Sequence, residues 1–186
     1  MALGGDPVSL DHAPQGAFEN GRPLHIVVMG VSGSGKSTIG RALADRLGWT
    51  MAEGDDFHPQ ANVDKMASGA SLVDEDRWPW LESLAQWTAE HDEQGASTVL
   101  NCSALRVVYR DILRRGGDTF FVHLTGDKNL LMERMQGREH FMPRSLLESQ
   151  FDTLEQLTDD EAGMRQDVAN PPQRIANVVA AQLDLA

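Results

Sequence analysis

The sequence predicts an α/β fold in which a central parallel sheet lies between two layers of helices. Short β-branched apolar runs alternate along the chain with segments of helical periodicity, and this alternation is typical of parallel sheets covered on both faces. A glycine-rich loop directly follows the first apolar run and precedes the first helical segment. A length of 186 residues fits one such domain, which we expect to cover residues 24–186.

The predicted strands and helices follow a leader at the N-terminus. Residues 1–23 are rich in glycine, proline and polar residues, and they are predicted to form a flexible leader. The predicted strands share apolar and β-branched residues and are His25–Met29, Trp49–Ala52, Ser97–Asn101, Thr119–Leu124 and Met164–Val168. The predicted helices share apolar residues at helical spacing or lie between turn residues and cover residues 37–47, 59–68, 76–93, 104–115, 128–136, a segment ending near 155, and the chain from Pro171 onward.

Composition restricts the expected partners and compartment. The formal net charge is −12, which argues against nonspecific binding to nucleic acid or to anionic membranes. No apolar run approaches the length of a membrane span, and the first residues lack the basic and apolar regions of a signal peptide. Cys102 is the one cysteine in the sequence, so an internal disulfide is impossible and a reducing cytoplasm is the expected location.

The loop from Gly30 to Ser37 reads GVSGSGKS and matches the pattern G-x-x-x-x-G-K-[ST]. Glycines at these positions let backbone N–H groups point at a polyphosphate, and the N-terminus of the following helix adds partial positive charge. Lys36 is predicted to reach the β- and γ-phosphates, and the Ser37 hydroxyl to bind Mg²⁺. The predicted nucleotide contacts are Gly30, Val31, Ser32, Gly33, Ser34, Gly35, Lys36, Ser37, Thr38 and, from a later helix, Arg134.

This loop predicts a P-loop NTPase fold that binds ATP and Mg²⁺. P-loops also occur in GTPases, which recognise guanine through N-K-x-D or T-K-x-D motifs. Neither motif occurs in the sequence. ATP is therefore the predicted nucleotide.

A second group of candidate residues follows the second predicted strand. In a parallel sheet, the C-terminal end of that strand lies at the same edge as the glycine-rich loop, so Asp55 is predicted to face the nucleotide. Its carboxylate could accept the proton of an attacking hydroxyl or hold a Mg²⁺-bound water, and the sequence does not separate these roles. With Ser37 it forms the predicted metal-binding pair.

The helical region at about 56–95 is predicted to bind the phosphate acceptor. His58 could bind a polyol hydroxyl or a carboxylate, or it could cap the next helix. Lys65 is a candidate because lysines are scarce in this sequence. Arg77 carries a forked guanidinium that suits a carboxylate. The alternative for Lys65 is an ordinary solvated lysine, and the alternative for Arg77 is a surface salt bridge.

Residues at about 134–150 are predicted to form a mobile lid. Arg134 and Arg138 lie one helical turn apart and precede His140. Such a lid excludes water from the γ-phosphate, so that transfer goes to the acceptor. Arg138 is predicted to stabilise charge in the transition state, and His140 either contacts the acceptor or packs within the lid.

Several segments together resemble the gluconate kinase family. They read EGDDFHP at 53–59, NVDKMASG at 62–69, LVDEDRWPWL at 72–81 and CSALR at 102–106, and shorter ones follow at 109–111, 138–143, 149–151 and 154–155. The resemblance implies a fold related to shikimate and nucleoside-monophosphate kinases, and a homodimer. It also implies that ATP, with Mg²⁺, phosphorylates the 6-hydroxyl of D-gluconate to give 6-phospho-D-gluconate and ADP.

The resemblance also implies roles for individual residues. Asp55 resembles the carboxylate that accepts the proton or orients the acceptor. The residues that it places around the acceptor or the transferred phosphate are His58, Lys65, Arg77, Ser103, Arg106 and Arg110.

Two alternatives remain at this stage. One is a kinase for another small acceptor, such as shikimate or a different sugar acid. The other is a regulatory protein that binds ATP only as a switch, in which Asp55, His58 and the arginines of the lid would have no evident purpose.

Overall fold

The computed structural model describes residues 21–136 and 144–185. The strands are β1 His25–Met29, β2 Thr50–Glu53, β3 Thr98–Asn101, β4 Thr119–Thr125 and β5 Gly163–Asp167. The helices are α1 Lys36–Leu47, α2 Gln60–Ala67, α3 Asp74–Glu93, α4 Val107–Leu113, α5 Lys128–Gln136, α6 Arg144–Thr153 and α7 Pro172–Gln182. Short 3₁₀ helices, Gly54–Phe57 and Arg114–Gly116, follow β2 and α4. Among these helices, none combines the length and apolar composition that crossing a bilayer requires.

The strands of the described residues form one parallel sheet in the order β2-β3-β1-β4-β5. Asn101 at the end of β3 pairs with Val28 of β1 on one side and with Glu53 of β2 on the other. The C-terminal ends of these strands therefore lie at one edge of the sheet, as the prediction from the sequence required.

Alternate residues of the strands enter separate cores on the two faces of the sheet. In β1, Ile26 and Val28 belong to one core, whereas Val27 and Met29 belong to the other, as the two-residue period of a strand dictates. Ile39 of α1 lies in the first core and Leu84 of α3 in the second. Apolar side chains of α7 complete the first core and those of α4 the second. The predicted three-layer α/β/α architecture is thus confirmed.

Two helices begin two or more residues away from their predicted starts. Helix α3 begins at Asp74 rather than at Asp76, and the Asp76 carboxylate accepts the N–H of Val73 at 2.8 Å, which satisfies a free donor at the helix N-terminus. Helix α4 begins at Val107 rather than at residue 104, because Ala104 has a φ of 44° and is not in the α-helical conformation.

Candidate active site

The register of the sheet brings three loops together at one edge. The segment Gly30–Ser37, here called the phosphate loop, leaves the end of β1. The N–H of Gly30 donates to the backbone oxygen of Ser103, just beyond β3, at 3.2 Å. Asp55 follows the end of β2 by two residues. The phosphate loop, Ser103 and Asp55 therefore lie at the same edge of the sheet.

The phosphate loop presents bare backbone at its bend. Gly33 has a φ of 79°, which other residues rarely adopt, and a Cβ atom there would lie 2.7 Å from the Cγ of Met135, so a larger residue would be strained and would displace that side chain. Helix α1 begins directly behind the loop at Lys36. The Nζ of Lys36 donates to the backbone oxygens of Gly30 and Val31, at 3.1 Å each. This cradle of N–H groups, helix N-terminus and ammonium fits a polyphosphate.

A carboxylate that the sequence did not indicate lies against the loop. The hydroxyl of Ser37 donates to Oε2 of Glu53 at 3.1 Å, and the side-chain amide of Asn101 donates to Oε1 at 3.0 Å. The metal-binding pair was predicted to be Ser37 and Asp55, but the residue in contact with Ser37 is Glu53. This residue ends β2 beside Asn101 in the sheet, and that pairing is visible only once the strand register is known.

The side chain of Trp80 holds the 3₁₀ turn that carries Asp55. The indole N–H of Trp80 donates to the backbone oxygen of Gly54 at 2.7 Å, and the ring of His58 stacks on Trp80 at 4.2 Å. The side chain of His58 is 5% exposed and its Nε2 lies 4.0 Å from Oδ1 of Asp55, whose side chain is 90% exposed. His58 therefore lies behind Asp55, and burial lowers its pKa although the charge of Asp55 opposes this shift.

The buried thiol of Cys102 is influenced by two charged groups of the site, the carboxylate of Asp55 and the ammonium of Lys36. The pKa of this thiol is raised to about 12, mainly by burial and also by the charge of Asp55, whereas a backbone hydrogen bond at Ala104 and the charge of Lys36 oppose this shift. The carboxylate of Asp55 and the ammonium of Lys36 thus both lie within electrostatic range of one buried sulfur. A thiol with this pKa is protonated at neutral pH, so it does not act as a nucleophile.

A second group of side chains, which we call the arginine cluster, consists of Asp74, Arg77, Arg106 and Tyr109. One oxygen of Asp74 accepts the hydroxyl of Tyr109, and the other accepts Nη1 of Arg106 at 2.5 Å. Both guanidinium carbons lie 5.6 Å from the centre of the Tyr109 ring. The hydrogen bond from Tyr109, followed by the two arginines, lowers the pKa of Asp74. The cluster carries two cationic forks, and the charge of one of them, Arg77, reaches His58, whose Nε2 lies 4.0 Å from Oδ1 of Asp55.

Lys65 lies next to this cluster in an ion pair. Its Nζ lies 2.6 Å from Oδ2 of Asp76, and this hydrogen bond is the main cause of the lowered pKa of Asp76. The pair joins α2 to the N-terminus of α3, and the Lys65 side chain is 35% exposed. Lys65 therefore lies near the predicted acceptor site, where its ammonium is paired with the carboxylate of Asp76.

Arg110 is not brought to the site, which corrects its predicted role beside the acceptor. Its side chain is fully buried and its guanidinium binds both oxygens of Glu161 at 2.7 Å. It also donates to the backbone oxygens of Ala104 and Glu155, at 3.1 Å each. These donors, together with Arg114, lower the pKa of Glu161 to about 2 against the effect of burial. Arg110 is thus a structural residue that holds the turn before α4.

A cleft of about 390 Å³ opens on the other side of the phosphate loop. Arg134 lines it and donates to the backbone oxygen of Val168 at 3.3 Å. The predicted nucleotide contacts that also line the cleft are Gly33, Ser34, Gly35 and Thr38, and the turn 168–172 forms the opposite side. The size and position of the cleft fit the base and sugar of a nucleotide whose phosphates lie in the loop.

Two predicted residues, Arg138 and His140, lie outside the described residues. The same holds for most of the predicted leader and for the central part of the predicted lid, residues 137–143. Their predicted roles remain predictions.

Comparison with known proteins identifies the family of this chain. A family model described as an AAA domain matches residues 26–145. A gluconokinase from Gluconobacter oxydans is 50% identical over 148 residues, which cover 77% of this chain and 82% of that protein. The chain belongs to the gluconokinase family. The thermosensitive gluconokinase of Escherichia coli is 42% identical to this chain, and the match covers 83% of this chain and 87% of that protein. This similarity supports the same assignment.

Solved structures place the gluconokinase fold among P-loop kinases. A gluconokinase from Sinorhizobium meliloti shares 44% identity and a TM-score of 0.79, with 87% of this chain and 92% of that one covered. A sugar kinase from a Janibacter species shares 48% identity and a TM-score of 0.83, with coverage of 88% and 96%. The shikimate kinase of Aquifex aeolicus is 17% identical with a TM-score of 0.53, and the match covers 86% of this chain and 96% of that one. At this identity, the likeness shows a common fold and nothing more. The predicted relation to shikimate kinases is thus confirmed for the fold.

Four residues of the gluconokinase site were not singled out from the sequence: Glu53, Asp74, Tyr109 and Gln150. Each stands inside a segment that resembles the family, so the resemblance marked the right stretches of chain. The carboxylate of Asp74 and the hydroxyl of Tyr109 meet across 35 residues of sequence. The spacing of residues along the sequence does not predict the pairing of Asp74 with Tyr109.

Proposed function

We propose that the protein transfers the γ-phosphoryl group of ATP to the 6-hydroxyl of D-gluconate, giving 6-phospho-D-gluconate and ADP. The observation that carries the proposal is the position of Asp55. Its exposed carboxylate and the ammonium of Lys36 both lie within electrostatic range of the buried thiol of Cys102, and the charge of Arg77 reaches the neighbouring His58. Membership of the gluconokinase family supports D-gluconate as the acceptor.

In this proposal the nucleotide spans the cleft and the phosphate loop. The base and ribose occupy the cleft near Arg134, and the phosphates accept N–H groups of the loop and of the first turn of α1. Lys36 leaves its backbone acceptors and pairs with the β- and γ-phosphates. Ser37 and Glu53 supply the oxygen ligands that Mg²⁺ prefers, and the ion neutralises phosphate charge when it is bound.

The sugar acid lies between Asp55 and the arginine cluster. Its carboxylate pairs with the forks of Arg77 and Arg106, as planar guanidinium groups favour, and this places the other end of the chain at Asp55. The O6 oxygen bonds to the γ-phosphorus as the bond from that phosphorus to the β–γ bridging oxygen breaks. The proton of O6 passes to the carboxylate of Asp55, and ADP leaves with the electron pair.

The remaining predicted features complete the proposal. Residues 134–150 act as a lid, Arg138 stabilises the charge of the transferring group, and His140 contacts the acceptor from the lid. The protein works in the cytoplasm as a homodimer. These features rest on the sequence pattern and on the resemblance to the family.

An ADP-release assay with a panel of acceptors tests the proposed function. The panel contains D-gluconate, other aldonic acids and shikimate, each with ATP and Mg²⁺. We expect the largest kcat/KM with D-gluconate and, by ³¹P and ¹³C NMR, a product phosphorylated at C6. A higher kcat/KM with another acceptor would replace the substrate, and the absence of acceptor-dependent turnover would favour a regulatory ATP-binding protein.

A further inference from the structure

Helix α6 and the two residues after it touch both halves of the candidate site. On the nucleotide side, Oε1 of Gln150 accepts the N–H of Ser32 in the phosphate loop at 2.7 Å. On the acceptor side, Oε2 of Glu155 accepts the N–H of Val107 at 2.6 Å, and Oε1 lies 3.5 Å from Nε of Arg106. A stretch of six residues, 150–155, therefore connects the phosphate loop to the arginine cluster.

This connecting segment is held together internally and packed as one unit. The N–H of Leu154 donates to the backbone oxygen of Gln150 at 3.0 Å, and the N–H of Glu155 donates to that of Leu105 at 2.7 Å. Leu154 packs against both hydrophobic cores, and Leu147 of the same helix is buried. Because tightly packed elements shift as units rather than deform, a change at Gln150 is transmitted to Glu155.

A bound nucleotide competes with Gln150 for its partner. The N–H of Ser32 is a single donor, and in this structure it is satisfied by a neutral carboxamide oxygen. Hydrogen bonds to ionised phosphate oxygens are roughly twice as strong as those to neutral acceptors, and the backbone N–H groups of such a loop point at the phosphates. A polyphosphate in the loop thus weakens the bond between Gln150 and Ser32.

A bound sugar acid competes for Arg106 in the same way. This guanidinium already faces two carboxylates, Asp74 at 2.5 Å and Glu155 at 3.5 Å. The carboxylate of an acceptor must share the guanidinium with both of them or displace one. Glu155 is the more distant partner of the two, so its withdrawal is the easier way to open a place for the acceptor.

We propose that residues 150–155 couple the two substrate sites, so that nucleotide bound in the phosphate loop raises the affinity for the sugar acid. The phosphates displace Gln150, the segment shifts, and Glu155 releases Arg106 for the acceptor carboxylate. Gln150 and Glu155 are positioning residues, since neither takes part in the transfer itself. This inference rests on the proposed function. By linkage, the acceptor raises the affinity for nucleotide by the same factor.

Calorimetric titration of D-gluconate tests the coupling, with and without a saturating Mg²⁺ complex of AMP-PNP. We expect the wild-type protein to bind D-gluconate about 10-fold more tightly when the analogue is present, a factor typical of coupled sites. Gln150→Ala should bring this ratio below about 2, because the contact that senses the phosphates is gone. Glu155→Gln keeps an acceptor for Val107 but lacks the charge, so it should bind D-gluconate more tightly without nucleotide and also show a reduced ratio. Gln86→Ala, an exposed substitution of the same kind on α3, should keep the wild-type ratio.

The outcomes separate this inference from the proposed function. A wild-type ratio near one, or an unchanged ratio in Gln150→Ala, overturns the coupling while leaving the kinase reaction intact. The thermal midpoint shows whether Gln150→Ala folds. If it does not fold, Glu155→Gln is the deciding variant, and an unchanged affinity ratio in Glu155→Gln overturns the coupling. Wild-type protein that neither binds nor phosphorylates D-gluconate contradicts the proposed function and, with it, the inference.

Discussion

At the scale of single residues, Asp55 and Glu53 lie two positions apart and face different partners. The carboxylate of Glu53 is held by Ser37 and Asn101, whereas that of Asp55 is exposed beyond the end of the strand. A strand ends between them, and the chain turns into a 3₁₀ helix. In the proposed reaction, this turn separates the carboxylate assigned to the metal, Glu53, from the carboxylate assigned to the acceptor, Asp55.

Asp55→Asn should fold normally and lose at least about 100-fold in kcat, because an amide cannot accept the proton of the attacking hydroxyl. The side chain is 90% exposed, so the thermal midpoint should stay within about 2 °C of the wild type. Steady-state kinetics on D-gluconate and differential scanning calorimetry measure the two effects. Asp56→Asn, in the same exposed turn, is the matched control and should retain activity. Near-normal turnover in Asp55→Asn would remove its catalytic role.

Glu53→Gln should raise the Mg²⁺ concentration needed for half-maximal activity by about 10-fold. The substitution keeps the shape of the side chain but removes the negative charge next to Ser37. Activity measured over a Mg²⁺ titration at fixed ATP gives this concentration. Glu90→Gln, an acid-to-amide change at a side chain that binds Gln86 on α3, should leave the titration unchanged, and an unchanged titration in Glu53→Gln would exclude a role in metal binding.

At the scale of elements, the position of Asp55 depends on helix α3 through Trp80. Its indole N–H reaches the backbone oxygen of Gly54 at 2.7 Å and is buried. His58 stacks on the same ring. One side chain thus orients the whole 3₁₀ turn, and the turn orients the carboxylate.

Trp80→Phe should lower kcat by about 10-fold while leaving the affinity for ATP unchanged, because positioning errors of about 1 Å reduce rates by up to about 100-fold. Phenylalanine keeps an aromatic ring for His58 but leaves the buried oxygen of Gly54 without its donor, which costs about 1–3 kcal/mol of stability. Kinetics with both substrates and chemical denaturation test these effects. Trp49→Phe, which packs at the edge of the opposite core, should keep the wild-type kcat. Equal kcat in both variants would contradict the role of Trp80.

The pair of Arg110 and Glu161 ties helix α4 to the loop before β5. Arg110→Met should reduce the free energy of unfolding by about 3–5 kcal/mol, because it leaves Glu161 as a buried charge with fewer partners. Arg115→Met, whose side chain is 63% exposed in a surface pair with Glu82, should change it by less than about 1 kcal/mol. Urea unfolding of both variants gives the comparison. A normal stability for Arg110→Met, with a raised KM for D-gluconate, would restore the role first predicted for this residue.

At the scale of the whole molecule, buried histidines make stability depend on pH. His25 and His123 are fully buried in the sheet, and burial lowers the pKa of both, to about 4 for His123. For His123, the charges of Arg110 and Arg165 add to the effect of burial in giving this value, and the charge of Glu161 opposes them. The folded protein therefore binds fewer protons than the unfolded chain between about pH 4 and the ordinary histidine pKa of about 6.5.

Stability should accordingly be highest above about pH 6.5 and fall as the pH drops toward 4, because unfolding then takes up protons. Each buried histidine contributes a slope of up to about 1 kcal/mol per pH unit in this window. Urea unfolding at a series of pH values measures the slope. His123→Leu should flatten it, because the histidine with the larger lowering of its pKa is then absent. A wild-type stability that is constant from pH 7 to pH 4.5 would contradict this prediction.

The sequence by itself determined the parts of this protein that depend on short stretches of chain. The phosphate loop is a contiguous pattern between a strand and a helix, and the place of Asp55 follows from the rule that parallel strands end at one edge. The strand and helix order, and with it the three-layer fold, follows from hydrophobic periodicity. Local chemistry was sufficient because all partners in these features are near neighbours or are related by sheet topology.

Only the tertiary structure decided how distant side chains pair. Arg110 looked like a cation for the acceptor, but Glu161, 51 residues away, buries and neutralises it. Gln150 reaches Ser32 across 118 residues. Such pairs depend on the directions of side chains and on which face each helix buries. The charges of residues and their spacing along the chain do not predict which distant side chains pair.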